Sequence, residues 1–257
     1  MGKTIFQRDK IEEPALFTPF DTTKRVEGFP SVCISTFSEN IIAKFASLGG
    51  TKKIAELYTA NGAIPVYKTR YKDTDIAFYL SRVGAPACVA GFEEIVAMGA
   101  EKFVLFGSCG VLDDDKVKDK IIVPVSAVRD EGTSYHYAAP SEEIEADVNS
   151  VRILERVLER LGYPYVEGKT WTSDAIYRET LPAIKERREE GCIAVEMECA
   201  SMLAVSRYRG IPFIQFLYGA DDLSSDKWEI RDLELYGLTN AEKYMLLAFE
   251  CGLEMDE

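Results

Sequence analysis

The chain has 257 residues, 47% of them hydrophobic, which is enough to bury one sizeable core and excludes a disordered polypeptide. Its 30 Lys and Arg against 43 Asp and Glu give a net charge of −13, with no local basic patch, so nucleic acid and anionic membranes are excluded as partners. One histidine, His136, rules out a His-rich metal site, and six cysteines without a Cys-x-x-Cys pair predict buried thiols in a reducing compartment, the cytoplasm.

The N-terminal residues lack the apolar core of a signal peptide, and no apolar run is long enough to span a bilayer. Residues 31–36 read as a buried strand. Residues 39–48 have helical periodicity and stop at Gly49-Gly50. Residues 75–81 form a second strand that runs into Gly84-Ala85-Pro86 and a helix over 87–98. Residues 102–107 are a continuous apolar strand of the kind found mid-sheet. A further strand covers 121–125, with Pro124 marking a strand end or a bulge. Residues 151–161 make an amphipathic helix, with Ile153, Leu154, Val157, Leu158 and Leu161 on one side. The charged stretch 185–190 reads as a solvated helix face. Residues 212–218 form a last apolar strand, and Thr239-Asn240 cap a C-terminal helix. There is no internal repeat, low-complexity tract or linker. The alternation predicts a single α/β domain over 1–257, a three-layer α/β/α fold with a central mixed β-sheet. Ligands in such sheets gather at the carboxyl ends of strands.

Four post-strand segments carry chemistry. In Phe106-Gly107-Ser108-Cys109-Gly110-Val111, two glycines flank small residues. This is either a tight packed turn or an anion site built from amides and the Ser108 hydroxyl. Arg82, before a helix start, suits an oxyanion or a surface contact. The segment 128–137 mixes charges, hydroxyls and aromatics that cover either a flat ligand or a subunit interface. Asp221, just past a buried strand, is a candidate general acid because partial desolvation raises a carboxyl pKa; Asp222 beside it reads as structural. The segment Ala194-Val195-Glu196-Met197-Glu198-Cys199 sits at a strand-to-helix junction. Its two glutamates, two residues apart, cannot share a helical face, so one anchors structure while the other points into a cleft, or both serve the helix dipole. A carboxylate in a cleft grips vicinal hydroxyls, as on a pentose.

Together and in this order, these segments resemble the nucleoside phosphorylase and nucleosidase superfamily over roughly residues 31–223. Gly107-Ser108-Cys109-Gly110 resembles the phosphate loop of hexameric purine nucleoside phosphorylases. Val195-Glu196-Met197-Glu198 resembles the superfamily's ribose-binding signature, and residues 129–137 a segment of uridine and purine phosphorylase relatives. Thr172-Ser173-Asp174-Ala175-Ile176-Tyr177 resembles their base-pocket segment. The resemblance implies phosphorolysis of a nucleoside to free base and pentose 1-phosphate, with phosphate as co-substrate and neither metal nor organic cofactor. It implies phosphate on Ser108, Cys109, Gly110 and Arg82; ribose on Glu198, Met197 and Glu196; and the base against Ile176, Tyr177 and Arg178. Asp221 acts at N7 of a purine by the same resemblance, and the protein is a homodimer or homohexamer.

The chain also departs from that pattern. Thr36-Phe37-Ser38-Glu39-Asn40 replaces the usual Gly-Asp-Pro-x-Arg, and Leu105 stands where an arginine precedes the phosphate-loop glycine. No partner-donated arginine is evident near Gly62-Ala63-Ile64-Pro65, and no histidine precedes position 136. Arg82 or Arg129 is the candidate replacement for the charge a phosphate dianion needs. Two alternatives follow. Water, activated near Glu39, attacks instead of phosphate, or the protein binds nucleosides without turning them over. Tyr177 is followed by Arg178-Glu179-Thr180 rather than the Gln-x-Arg pair of uridine phosphorylases, which favours a purine.

Overall fold

The computed structural model describes residues 6, 11, 13–225, 227–231 and 241–255. The expected cap at Thr239-Asn240 lies outside the described residues. In chain order the elements are α1 (Pro19–Thr22), β1 (Val32–Thr36), α2 (Glu39–Ala46), β2 (Lys52–Thr59), β3 (Gly62–Tyr71), β4 (Thr74–Leu80) and α3 (Ala85–Met98). Then come β5 (Lys102–Val111), α4 (Asp114–Val117), β6 (Ile121–Asp130), β7 (Glu143–Glu145), α5 (Val148–Leu161) and β8 (Tyr165–Ser173). Last are α6 (Leu181–Glu189), β9 (Cys192–Glu196), α7 (Cys199–Arg209), β10 (Phe213–Asp222) and α8 (Ala241–Glu254). Among the described residues, no helix is long and apolar enough to cross a membrane.

The strands build one mixed sheet, as the α/β alternation predicts. From one edge it runs β2–β3–β4–β1–β5, with β1 parallel to both β4 and β5. At β5 the sheet forks. One side of β5 pairs parallel with β10 and the other antiparallel with β9. β9 continues to β8 and β6, and β6 returns to β10, so these five strands close on themselves. A sheet that closes removes its own edges and brings the ends of its strands around one mouth.

Helices cover both faces. Phe92, Ile95, Met202 and Val205 of α3 and α7 pack against Cys33, Phe103 and Leu105. Ile41, Phe45, Leu154, Val157 and Phe249 of α2, α5 and α8 pack against Ile34, Val104 and Phe216. Local chemistry sets the helix ends. Ser38 caps α2 by accepting from the Ile41 amide, and Asp147 caps α5 from the Ser150 amide at 2.8 Å. Gly162 closes α5 in the left-handed region at φ 72°.

Several segments differ from expectation. β2, β3 and β8 carry part-exposed patterns that give no clean run of either period. Residues 107–110, expected as a loop, are the second half of β5, and Asp221-Asp222 lie inside β10 rather than past it. Both strands run on because each finds a partner there: Ser108 faces Tyr218, and Gly110 faces Asp221. Pro124 does mark a bulge, where the β6–β8 register shifts between Pro124 and Ser126.

Candidate active site

The fork at β5 builds the site. β9 lies along one side of β5 with Val195 opposite Gly110, and its last residue leads through Glu196-Met197-Glu198 into α7. β10 lies along the other side, with a register shift between Gly219 and Asp221. A bulge adds a residue to one strand and re-aims the side chain beside it. Asp221 is thereby turned onto Gly110: a Cβ on that glycine would stand 3.6 Å from Asp221 Oδ1 and only 2.6 Å from Leu223 Cδ1. Glycine is what lets the three strands close here. Ser108 is the one residue of Gly107–Gly110 with appreciable exposure.

Glu196 and Glu198 diverge, as one reading of the sequence expects. Glu196 is buried, and one carboxylate oxygen accepts the amides of Glu198 and Cys199 at 2.7 and 2.6 Å. The other accepts the hydroxyl of Thr172 at 2.5 Å and that of Thr170 at 3.4 Å. Thr172 Oγ1 in turn accepts the Ala200 amide at 2.9 Å, which ties β8 to the first turn of α7. Both Glu196 oxygens are thus engaged by the chain itself. The expectation that Glu196 joins the ribose contacts is corrected: it anchors the junction. Burial pushes its carboxyl up to about 7 against the pull of those donors.

Glu198 is held more sparingly. Its Oε1 accepts the Gly84 amide at 2.5 Å, where Gly84 adopts φ 95° at the start of α3. Burial and the charge of Glu196 push its carboxyl up to about 8. The backbone amides of Gly84 and Met197 pull the other way. Met197 lies half-buried between the two glutamates.

At the other side, Asp221 Oδ2 accepts the Trp228 indole N–H at 2.8 Å, and burial raises its carboxyl above the usual range. Asp222 is structural, as expected: it accepts the Ser224 amide at 2.7 Å and pairs with Arg231. A third acid, Glu179, escaped the sequence reading. It follows the short 3-10 turn Ile176–Arg178, and burial together with the charge of Asp221 pushes it up to about 7. It makes no hydrogen bond or ion pair among the described residues. Its position two residues after Tyr177 was the available signal, hidden because an acid just before the Thr180 helix cap looks ordinary.

Other expected residues are placed differently. The Arg82 guanidinium reaches the β2–β3 turn, donating to Asn61 Oδ1 at 2.9 Å and to the Gly62 carbonyl at 3.2 Å, so it is not at Ser108. Arg129 is buried over the Tyr135 ring at 3.9 Å and donates to Ser134 Oγ, Ser141 Oγ and the Ala139 carbonyl. It braces the 129–141 loop, and Tyr135 packs inside rather than covering a ligand. Cys109 and Gly110 are strand residues, with the Cys109 thiol buried, not a loop of spare amides. Tyr177 is 95% exposed and Ile176 52%, so neither covers a base in the single chain; Arg178 is exposed too. Glu39 stands exposed in the first turn of α2.

The family model of the Phosphorylase superfamily matches residues 32–243. The chain belongs to the Phosphorylase superfamily. Curated relatives of this superfamily member include guanosine phosphorylase of Halorubrum lacusprofundi, 26% identical over 61% of this chain and 65% of that protein. Uridine phosphorylase of Thermococcus kodakarensis is 32% identical over 42% of this chain and 39% of that protein. The aligned parts thus cover less than two thirds of either relative's length. Among solved structures, uridine phosphorylase from Vibrio fischeri superposes with a TM-score of 0.71 at 22% identity, covering 90% of this chain and 94% of that one. AMP nucleosidase from Bacteroides thetaiotaomicron gives 0.72 at 17% identity, covering 91% of each. At these identities the structural likeness establishes the fold. The Phosphorylase superfamily is a family of enzymes, and the two curated relatives are phosphorylases of guanosine and of uridine.

Proposed function

We propose that this protein is a purine nucleoside phosphorylase. The observation that carries the reading is that one strand, β5, has Asp221 turned onto it from β10 and pairs on its other side with β9, which leads through Glu196 into the buried Glu198. In this reading Glu198 accepts the 2′- and 3′-hydroxyls of the pentose, over Met197. Asp221, whose carboxyl burial raises above the usual carboxylate range, gives a proton to N7 of the purine. The C1′–N9 bond breaks with its electron pair going to the base. A phosphate oxygen held by the Ser108 hydroxyl bonds to C1′, leaving free base and pentose 1-phosphate. Glu179 supplies an unpaired acceptor that suits the N1–H of a 6-oxopurine. Alignment and charge stabilisation supply most of the acceleration, and no cofactor is required.

The enzyme works as a homo-oligomer in this reading, a dimer or hexamer, with exposed Tyr58, Tyr177 and Phe17 among the apolar side chains available to a neighbour. Its six free, buried cysteines suit the cytoplasm.

One observation favours hydrolysis as a second reading. Arg82 and Arg129 are both engaged away from Ser108, and the Phe37 ring lies so close to Gly107 that an added Cβ would meet it at 2.7 Å. The test is base release from inosine and guanosine with and without phosphate, with the sugar product identified. Phosphate-dependent release with pentose 1-phosphate supports the proposal. Equal rates in phosphate-free buffer, with free pentose formed, replace it by hydrolysis.

A further inference from the structure

The motif left without a role is Arg82. Its side chain turns away from Ser108 and lies under the β2–β3 hairpin, beside a cavity of about 270 Å³ lined by Leu57, Ile64 and Tyr79. There it donates to Asn61 Oδ1 and to the Gly62 carbonyl, at the hairpin turn. Two residues later, the Gly84 amide donates to Glu198 Oε1 at 2.5 Å. One residue earlier, the Ser81 amide donates to the Thr36 carbonyl at 2.9 Å, which pins the same loop to the end of β1. The loop 81–84 is thus held at its start by β1, at its middle by the hairpin turn and at its end by Glu198. Gly84 has φ 95°, and an added Cβ there meets nothing within 4 Å, so the loop depends on these ties rather than on side-chain packing at Gly84.

We infer that Arg82 is a positioning residue: by tying loop 81–84 to the hairpin turn it holds the Gly84 amide where it orients the Glu198 carboxylate toward the pentose. The inference rests on the proposed role of Glu198 at the sugar. Its physical basis is that a carboxyl group with one oxygen fixed by a backbone N–H presents the other in a single direction, and a pre-set partner does not have to be ordered when the nucleoside arrives. The guanidinium accomplishes this with neutral partners, an amide oxygen and a carbonyl, and has no carboxylate hydrogen-bonded to it among the described residues.

The experiment compares wild type with Arg82→Ala and Asn61→Ala, two variants that break one tie from opposite ends. The KM for inosine is expected to rise about 3- to 10-fold in both, the size of one lost hydrogen bond to a charged group, with kcat and the phosphate KM nearly unchanged. The double variant is expected to equal Arg82→Ala, which already removes the Asn61 contact together with the one to the Gly62 carbonyl. A raised phosphate KM in Arg82→Ala, with Asn61→Ala behaving as wild type, overturns the inference and returns Arg82 to the anion. Amide hydrogen exchange at Gly84 reads the tie without turnover, so it stands even if the nucleoside reading fails. Exchange is expected to quicken about 3- to 10-fold in both single variants. Unchanged Gly84 exchange in both overturns the inference as well.

Discussion

The two glutamates of the β9–α7 junction should separate cleanly when each is cut to alanine. Glu196→Ala removes the acceptor of two buried amides, those of Glu198 and Cys199, and of the Thr172 hydroxyl. A buried donor left unpaired costs about 1–3 kcal/mol, so the two amides alone amount to about 2–6 kcal/mol, with some offset from removing a buried charge. Taking about 4 kcal/mol, a chain of this length should melt about 8–16 °C lower. Glu198→Ala leaves one half-buried donor, the Gly84 amide, and removes a carboxylate that burial and Glu196 both oppose. Those effects nearly cancel, so its melting temperature should stay within about 4 °C of wild type. Its deficit should appear in binding instead, with inosine affinity falling far more than affinity for free hypoxanthine. The assays are urea and thermal unfolding of both variants and calorimetric titration of nucleoside and base. Equal destabilisation by the two substitutions, or equal losses for riboside and base in Glu198→Ala, refutes the division of labour.

Asp221→Asn keeps an acceptor for the Trp228 indole but cannot release a proton, so purine cleavage should slow about 10²- to 10⁴-fold with binding largely intact. Unchanged turnover in steady-state assays removes Asp221 from the mechanism. Glu179→Gln should lower kcat/KM for inosine and guanosine about 5- to 50-fold, as expected for a lost charged acceptor, and leave adenosine nearly unaffected. A uniform loss across the three nucleosides contradicts a base contact. The pH dependence of stability follows from the raised carboxyl of Glu198. The folded form holds its proton up to about 8, whereas the unfolded chain releases it near the ordinary glutamate value of 4.5. Its contribution is therefore fully present below that value and is lost as pH rises toward 8, by up to about 1.4 kcal/mol per pH unit. Relative to wild type, Glu198→Gln should gain stability steadily from pH 5.5 to 7.5 in urea titrations. A constant gap between the two proteins contradicts the shift.

The sequence made the interior legible and the partnerships invisible. β1, the first half of β5 and most of β10 announce themselves because strands buried on both faces are apolar throughout. The hairpin of β2 and β3 does not, because its half-exposed residues mix Lys, Glu, Tyr and Thr without strict alternation. The divergence of Glu196 and Glu198 could be read from their spacing at a strand-to-helix junction. Which of them serves as the anchor depends on Thr170 and Thr172, some 25 residues earlier and brought alongside by β8. Asp221 was visible as an acid near a strand end, but the bulge that turns it onto Gly110 depends on register with β5 and leaves no local trace. Arg82 misled for the same reason. Its place before a helix suits an anion, and only the hairpin packed above it explains where the guanidinium goes. Glu179 lay two residues beyond the base-pocket segment, but its burial and its nearness to Asp221 are consequences of the fold.

The central claim is that Glu198 clasps a pentose whose base is directed at Asp221. A crystal structure with a slowly reacting purine nucleoside and phosphate measures this directly. It should show both sugar hydroxyls on the Glu198 carboxylate, the N7 edge at Asp221 and an oxyanion beside the Ser108 hydroxyl. Density for the nucleoside that leaves Glu198 still bound only to Gly84, with the base away from Asp221, contradicts it.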